Sequence, residues 1–342
     1  MRKSNDLAAI TQWITAAAVD HGDQLPDLIC SRLGVGRRAA LRVLQRLVSL
    51  QWLVLEGTLR KGSWRPGVLR QVVHRYPLQG LEEDLPWARD FAPYFKLPPA
   101  VARMAQHAFT ELLNNAIDHS GGTQVTVSLR QTALHLQLLV SDDGCGVFQR
   151  IEQSFAVADP ALAMLELAKG KLTSQPERHT GRGLYFTSRL ADVFDLHANH
   201  AAFQYRGWDH KTWHKGRPLA RQGTSIYMAI ALDTARTLDG VLRAHSADGA
   251  GYGFERTVVP LQLLTGAQCG LESRAQARRV SQRLQRFRRA ELDFTGIADV
   301  GHGFADELFR VFHLQNPGVE MVPVGMSPRV AAMVGAVTSA AA

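Results

Sequence analysis

The chain has 342 residues, which is enough for about two or three domains of ordinary size. Apolar residues make up 46% of it, a value typical of soluble globular proteins, and no apolar run is long enough to span a bilayer. The three cysteines, Cys30, Cys145 and Cys269, lie far apart, which argues against a disulfide scaffold or a zinc knuckle. The polar first residues carry no secretory signal, so we expect a cytoplasmic protein.

The formal net charge of +8 is unevenly distributed along the chain. Between Arg32 and Arg65 there are eight lysines and arginines and a single acid, Glu56. Between Arg274 and Arg289 there are seven arginines and no acid. Clusters of this kind suit phosphates or acidic partners, or they simply face water.

The first segment has the pattern of a few helices followed by a hairpin. After an amphipathic opening stretch, helices are predicted at Leu25–Leu33 and from Gly36 to Leu50, separated by a short glycine-containing turn. Two short strands are predicted at Trp52–Leu55 and Leu59–Trp64, around Glu56-Gly57. The helix after the turn is expected to be the basic one.

This order resembles a winged helix-turn-helix, assigned here to residues 1–67. Leu41, Leu44 and Val48 are the expected core stripe of the basic helix. The resemblance implies contacts with duplex DNA from the other face of that helix and from the wing. The expected DNA-binding residues are Arg37, Arg38, Arg42, Arg46, Arg60, Lys61 and Arg65. The alternative is a small interaction domain with a solvated basic face, because a fold alone does not fix function.

Residues 68–99 are predicted to be a connector, and the segment after them alternates helices and strands. The connector contains several prolines and aromatics, and the aromatics suggest packing onto the next domain. A helix is predicted at Ala100–Asp118, followed by strands and by a long irregular stretch from Gly146 to Gly181. The later elements are a helix from about Leu184 and strands at Val193–Ala198, Ala201–Arg206 and Thr224–Ala231. The earlier strands are Gln124–Leu129 and Leu134–Val140.

Four motifs in this middle segment carry polar or glycine residues at suggestive positions. On the first helix, Glu111 and Asn115 are four residues apart and share a face, which is costly on a buried helix unless both have partners. Asp142-Asp-Gly-Cys-Gly146 ends a strand, Gly181-Arg-Gly-Leu184 opens a helix, and Gly223-Thr224 begins a strand. Glycines at a helix start expose backbone N–H groups to phosphates. Taken singly, each motif also fits a core network, a β-turn or an ordinary helix start.

Together and in this order, the four motifs resemble those of the GHKL ATPases, which include histidine kinases, type II topoisomerases and Hsp90 chaperones. The resemblance covers about 130 residues and implies a Bergerat α/β sandwich, a mixed sheet with helices on one face, over residues 100–235. It implies a mobile ATP lid between Val147 and Thr180. ATP and Mg²⁺ are the implied cofactors.

The resemblance also assigns roles residue by residue. Asp142 would accept a hydrogen bond from the adenine amine, Asn115 would ligate magnesium, and Glu111 would be the catalytic residue that orients or deprotonates water. The implied nucleotide contacts are Asn115, Asp118, Asp142, Gly144, Gly146, Gly181, Gly183, Leu184 and Thr224. The lid cations Lys169, Lys171, Arg178 and Arg182 are expected to be solvated or, less simply, to touch the terminal phosphate.

The last segment, residues 250–342, is predicted as three strand–helix pairs. Ser273–Ala290 is expected to be one arginine-rich helix, and Glu320–Val324 is expected to be a central strand. The stretch from Leu292 to Arg310 resembles the STAS fold of anti-anti-sigma factors. Where phosphorylated STAS proteins have a serine or threonine, this chain has Gly301-His302-Gly303. No hydroxyl is available at that position, so the nearest candidate acceptor is Thr295, and His302 is the other candidate.

The sequence as a whole predicts an α+β multidomain protein with a winged helix, a Bergerat domain and a STAS-like α/β domain. The expected function is a cytoplasmic, ATP-binding regulator of transcription or signalling. DNA is the expected partner of the winged helix, and another protein or a second copy that of the STAS-like domain. No membrane contact is expected. The alternatives are a protein kinase of the histidine-kinase or anti-sigma type, and a scaffold that binds ATP without turnover.

Overall fold

The computed structural model describes residues 7–58, 61–173, 177, 180–208, 213–265 and 270–339. It divides into two compact units, the first formed by residues 1–143 and 226–235 and the second by residues 144–225 and 236–342. None of the helices in the described part of the chain has the length and apolar character that a membrane span needs.

Four helices and a hairpin begin the first unit. They are α1 (Leu7–Thr11), α2 (Ile14–His21), α3 (Leu25–Leu33), α4 (Arg37–Ser49), β1 (Leu53–Gly57) and β2 (Gly62–Pro66). The predicted α3 is confirmed at both ends, and it stops at Gly34, whose φ of 64° is left-handed. The strands β1 and β2 pair antiparallel, so the predicted helix–turn–helix–hairpin order is confirmed.

The apolar face of α4 is rotated slightly from the predicted one. The helix buries Ala40, Val43, Leu44 and Leu47 against a core that includes two tryptophans of the hairpin region. Leu41 and Val48 are only partly buried, so two of the three predicted core positions were off by one residue. The exposed side of α4 keeps the basic residues.

The segment predicted as a connector contains a strand, which corrects the sequence interpretation. Strand β3 (Arg70–Pro77) pairs antiparallel along its whole length with β4 (Gln124–Gln131). Three helical turns follow β3, namely α5 (Asp84–Pro86), a π-helical turn (Trp87–Phe91) and a 3₁₀ turn (Ala92–Tyr94). Trp87 and Phe91 contact Phe109 with ring centroids 5.4 and 5.1 Å apart. The aromatics therefore pack onto the next domain, as predicted.

The helix that carries Glu111 and Asn115 is α6 (Pro99–His119), and it packs on β5 (His135–Asp142). Strands β4 and β5 are antiparallel neighbours. Further along the chain lie α7 (Val147–Phe155), α8 (Pro160–Lys169), α9 (Gly183–Leu190), β6 (Val193–Ala198), β7 (Ala201–Arg206), β8 (Trp213–Lys215) and β9 (Thr224–Ala231). Helices α7 and α8 occupy most of the stretch that was predicted to be irregular, so that prediction was wrong.

The strands of the first unit are ordered β3-β4-β5-β9, and those of the second are ordered β6-β7-β8. The pairs β3–β4, β4–β5, β6–β7 and β7–β8 are antiparallel. In β4 and β5, side chains alternate between buried and half-buried, as expected for a sheet covered by α6.

The last part of the chain is a small α/β domain in the second unit. Its elements are α10 (Leu238–Arg243), β10 (Arg256–Pro260), α11 (Arg274–Ser281), β11 (Arg289–Asp293), α12 (His302–Ala305), α13 (Phe312–Gln315), β12 (Glu320–Val324) and α14 (Pro328–Ser339). A π-helical turn (Asp306–Val311) joins α12 to α13. The three strands form a parallel sheet in the order β10-β11-β12. The predicted alternation of strands and helices is confirmed.

The predicted single helix from Ser273 to Ala290 is interrupted. Helix α11 starts with a capping box of Ser273 and Gln276 and ends at Ser281. Arg283 then takes a left-handed conformation with φ 68°, which an α-helix cannot contain. The chain continues into β11, so the second half of the predicted helix is instead a turn and a strand.

Candidate nucleotide-binding site

A polar stripe runs along one side of α6 in the first unit. His107, Glu111 and Asn115 are spaced by four residues, so their side chains share a face, and all three are half-buried. The Nε2 atom of His107 is buried and has no hydrogen-bond partner among the described residues. Burial lowers the pKa of His107, and the negative charge of Glu111 opposes this shift. A buried acceptor or donor left unpaired is costly, so this face fits a polar ligand. Asp118, also half-buried, lies in the last turn of the helix.

Two adjacent aspartates end β5 and have different environments. Asp142 is the last residue of the strand and is 5% exposed. Asp143 is exposed, and its carboxylate accepts hydrogen bonds from the backbone N–H groups of Thr123 at 2.7 Å and Gln124 at 2.9 Å. Hydrogen bonds from Gln124 and Thr123 lower the pKa of Asp143. Asp143 therefore holds a turn together, while Asp142 is the buried carboxylate at the strand end.

In the second unit, Gly144 and Gly146 are both buried, and Gly146 precedes α7 with a φ of 87°. A Cβ atom added to Gly146 would lie 2.7 Å from the side-chain nitrogen of Asn199. Both the positive φ and the close neighbour require glycine here. The backbone conformation thus requires glycine at position 146 whether or not a ligand is bound.

Asn199 was not predicted as part of the site, yet it bridges two of the motifs. Its Nδ2 donates to the carbonyl of Cys145 at 2.7 Å, and its Oδ1 accepts from the N–H of Gly223 at 3.0 Å. Nearby, the Oγ1 of Thr224 accepts a hydrogen bond from the N–H of Val147 at 3.0 Å. The available sequence signal was an asparagine in the tight turn between β6 and β7, where its φ is 51°.

The second glycine motif lies at the start of α9. Gly181 has a φ of 66°, and a Cβ there would approach the backbone N and O of Leu172 to 2.6 Å. The N–H of Lys171 donates to the carbonyl of Gly181 at 2.9 Å. Gly183 is the first residue of α9 and Leu184 follows it, both half-buried. The motif therefore packs backbone to backbone against the segment that follows α8.

The three described cations of the predicted lid have partners within the second unit, which corrects the expectation that these side chains are solvated. Lys169 is fully buried and forms an ion pair with Glu166. Burial lowers the pKa of Lys169, and Glu166 opposes that shift. Lys171 donates to a backbone carbonyl at 2.6 Å, and Arg182 donates to the carbonyl of Tyr252 at 3.3 Å. Arg178 lies outside the described residues.

The basic residues of the first segment are exposed where the structure describes them. Arg37, Arg38, Arg42 and Arg46 all lie on the exposed side of α4, and Lys61 and Arg65 are exposed in the hairpin. Two of these charges have acidic partners: Arg37 pairs with Asp27, and Arg65 pairs with Glu56 at 3.5 Å. Arg60 lies outside the described residues. Fewer of the basic residues are therefore without an acidic partner than the sequence suggests, since Arg37 and Arg65 are paired.

The arginine run near the C-terminus is also neutralised in part. Arg274 and Arg278 on α11 pair with Asp306 at 3.1 Å and Glu307 at 2.7 Å, respectively. Both acids lie in the π-helical turn, outside the run itself. His302 is the first residue of α12. The last of the proposed substitutes, Thr295, follows β11, and its backbone N–H donates to Asp293 at 2.9 Å.

Comparison with known families agrees with this architecture. Residues 100–261 match the family described as histidine kinase-, DNA gyrase B-, and HSP90-like ATPase, and residues 276–331 match a STAS-like domain of unknown function. A comparison with curated proteins gives no match. The fold and the motifs thus define a GHKL-type ATPase domain. In this chain that domain is followed by a STAS-like domain, and the two matches together support an ATP-binding protein of the regulatory or signalling kind.

Proposed function

We propose that this protein is an ATP-dependent regulator in which Mg-ATP binds at the GHKL motifs and controls the partners of the other domains. The observation that carries the proposal is the polar stripe of α6. A half-buried glutamate and asparagine share a face with a histidine whose buried Nε2 has no partner in the described chain. Combined with the family match, this donor set fits the phosphates and metal of a nucleotide.

The family pattern assigns these motifs to one nucleotide. Asp142 would accept from the adenine amine, and because guanine has a carbonyl at that position, GTP would be rejected. Asn115 would ligate Mg²⁺ through its amide oxygen. The remaining contacts would be Asp118, Gly144, Gly146, Gly181, Gly183, Leu184 and Thr224.

Bound ATP would supply a transferable phosphoryl group, and Glu111 would orient a water and accept its proton. The protein-kinase alternative finds less support in the first unit. A histidine kinase presents its acceptor histidine on a helical hairpin, whereas His74 lies within β3. Its ring stacks on Tyr76 at 5.7 Å and contacts Phe91 edge-on at 5.4 Å. We therefore favour ATP hydrolysis over phosphorylation of His74.

Incubation of the full chain with γ-labelled ATP and magnesium tests this choice. We expect the label to appear as free phosphate and none of it to remain on the protein. Label retained on the protein would show that it is a kinase. Bound but intact ATP would show that it is a scaffold without turnover.

We further propose that the exposed face of α4 binds duplex DNA. Arg38, Arg42 and Arg46 are exposed and spaced by four residues, so they form one line of charge along the helix. Together with Arg37 they would lie in or beside the major groove, and Arg60, Lys61 and Arg65 of the wing would contact the phosphate backbone. Charge of this kind draws most of its affinity from the release of counterions. The STAS-like domain would bind a protein partner or a second copy.

The DNA proposal predicts a salt-dependent affinity that specific arginines determine. The full chain should bind random duplex at low salt, and Arg38→Ala with Arg42→Ala should weaken binding and lower the slope of log affinity against log salt by about 2. The measurement is a fluorescence-anisotropy titration at several salt concentrations. Lys96→Ala with Arg217→Ala removes the same amount of charge at exposed positions that do not belong to α4 and should leave the slope unchanged. Equal losses in both variants would mean that net charge alone is responsible.

A further inference from the structure

The last turn of α8, in the ATP lid, carries a charged pair that solvent does not reach. Lys169 is 0% exposed and Glu166 is 6% exposed. Besides its ion pair with Glu166, the Lys169 ammonium donates to the carbonyls of Arg279 at 3.3 Å and Gln282 at 3.1 Å. An ammonium group has three donors, so all of them have partners.

Those two carbonyls belong to the C-terminal end of α11, which is part of the STAS-like domain. The last carbonyls of a helix have no partner within the helix and carry partial negative charge, which a cation stabilises. Lys169 therefore completes the end of α11. A side chain of the ATPase lid thus caps the C-terminal end of a STAS-like helix, a role that a local residue normally has.

Arg283 joins the same cluster from the STAS-like side. Its guanidinium pairs with Glu166 at 3.1 Å and donates to the carbonyl of Gly170 at 2.8 Å. The hydroxyl of Thr257, on β10, donates to the carbonyl of Lys169 at 2.7 Å. The end of α8 is therefore held both by its side chains and by its backbone.

Direct contacts connect this cluster to the second glycine motif. Two residues after Lys169, the Lys171 N–H donates to the carbonyl of Gly181 at 2.9 Å, and its ammonium donates to the carbonyl of Arg286 at 2.6 Å. The backbone of Gly181 also packs closely against this segment, since a Cβ atom added to Gly181 would lie 2.6 Å from the backbone of Leu172. A displacement of the glycine motif would therefore be transmitted to Lys171 and on to the end of α8.

We propose that Glu166, Lys169 and Arg283 form an ionic latch through which the STAS-like domain responds to the nucleotide in the ATPase domain. The latch rests on the proposed function, because it assumes that the second glycine motif contacts the phosphates of the nucleotide. A buried charge is costly once its partner moves away, so the latch is either made or broken. If bound nucleotide favours the state in which the latch is formed, it stabilises α11. By thermodynamic reciprocity, a partner that binds and stabilises α11 changes the affinity of the ATPase domain for nucleotide.

Hydrogen exchange of the full chain, with and without a non-hydrolysable ATP analogue and magnesium, tests the latch. In the wild type the analogue should slow exchange of the α11 amides by about fivefold or more. In Glu166→Met with Lys169→Met, which replaces the ion pair by apolar side chains of similar size, the analogue should bind but leave α11 exchange unchanged. If that variant does not fold, the triple variant that adds Arg283→Met removes all three charges and takes its place.

Arg289→Met with Glu320→Met is the matched control, because it removes an ion pair of 3.0 Å between β11 and β12, within the STAS-like domain. The slowing should persist in this control. Slowing of the same size in the latch variant would overturn the latch. Calorimetric binding of the analogue with no effect on wild-type α11 would also overturn it and leave the proposed function standing. No binding at all would overturn the proposed function and the latch with it.

Discussion

Asp142→Asn should weaken ATP binding strongly while the protein stays folded. Asparagine has nearly the same shape, but it lacks the negative charge that strengthens a hydrogen bond from the adenine amine. A hydrogen bond to a charged group contributes about 1.5–3 kcal/mol, so its loss lowers affinity by on the order of 10- to 100-fold. Titration calorimetry with ATP measures the change, and circular dichroism checks the fold.

Asp143→Asn provides a matched control for this result. It makes the same chemical change one residue later, at an exposed carboxylate that accepts hydrogen bonds from Thr123 and Gln124. This variant should lose some stability of the turn and keep ATP affinity. Wild-type affinity in Asp142→Asn would refute the assignment of Asp142 to adenine.

Glu111→Ala should leave ATP bound and slow its hydrolysis by about 100-fold, the usual contribution of a general base. Glu111→Gln keeps the size of the side chain and should slow the reaction to a similar extent, which separates proton transfer from packing. The measurements are steady-state phosphate release and calorimetric affinity on the same preparations.

Asn114→Ala controls for damage to α6 itself. Asn114 is half-buried and adjacent to Asn115, but it lies outside the four-residue spacing of the polar stripe. Its turnover should stay close to that of the wild type. Hydrolysis at the wild-type rate in Glu111→Ala would exclude Glu111 as the base.

Local patterns predicted those parts of the fold whose causes are local. The helix α3 with its terminal glycine and the strand β12 were correctly bounded, because caps and short apolar runs mark their ends. The motif Glu111–His119 was recognisable since polar residues on an apolar helix are unusual. Strand β3 was missed because its pairing partner, β4, lies about 50 residues later, and no local signal reports such a pairing.

The absence of a local signal also explains why the burial of Glu166 and Lys169 in the predicted lid was missed. In sequence, Glu166 and Lys169 look like an ordinary surface pair at i, i+3 on a helix. Their burial depends on carbonyls and on Arg283, more than 100 residues further along the chain. The break at Arg283 was equally invisible, because arginine is a good helix former and its left-handed conformation is imposed by the tertiary contacts that it makes.

Strand β3 has one partner strand, β4, and its other edge is covered by the first helices. The N–H of Val73 donates to the carbonyl of Gln12 at 3.2 Å, and the N–H of Gln71 donates to the hydroxyl of Thr15 at 3.0 Å. Exposed strand edges invite pairing with another chain. The N-terminal segment therefore also protects the edge of β3 from pairing with another copy of the chain. A protein truncated before residue 68 would leave this edge of β3 open to strand addition. Aggregation of that truncated protein would say nothing about whether the N-terminal segment binds DNA.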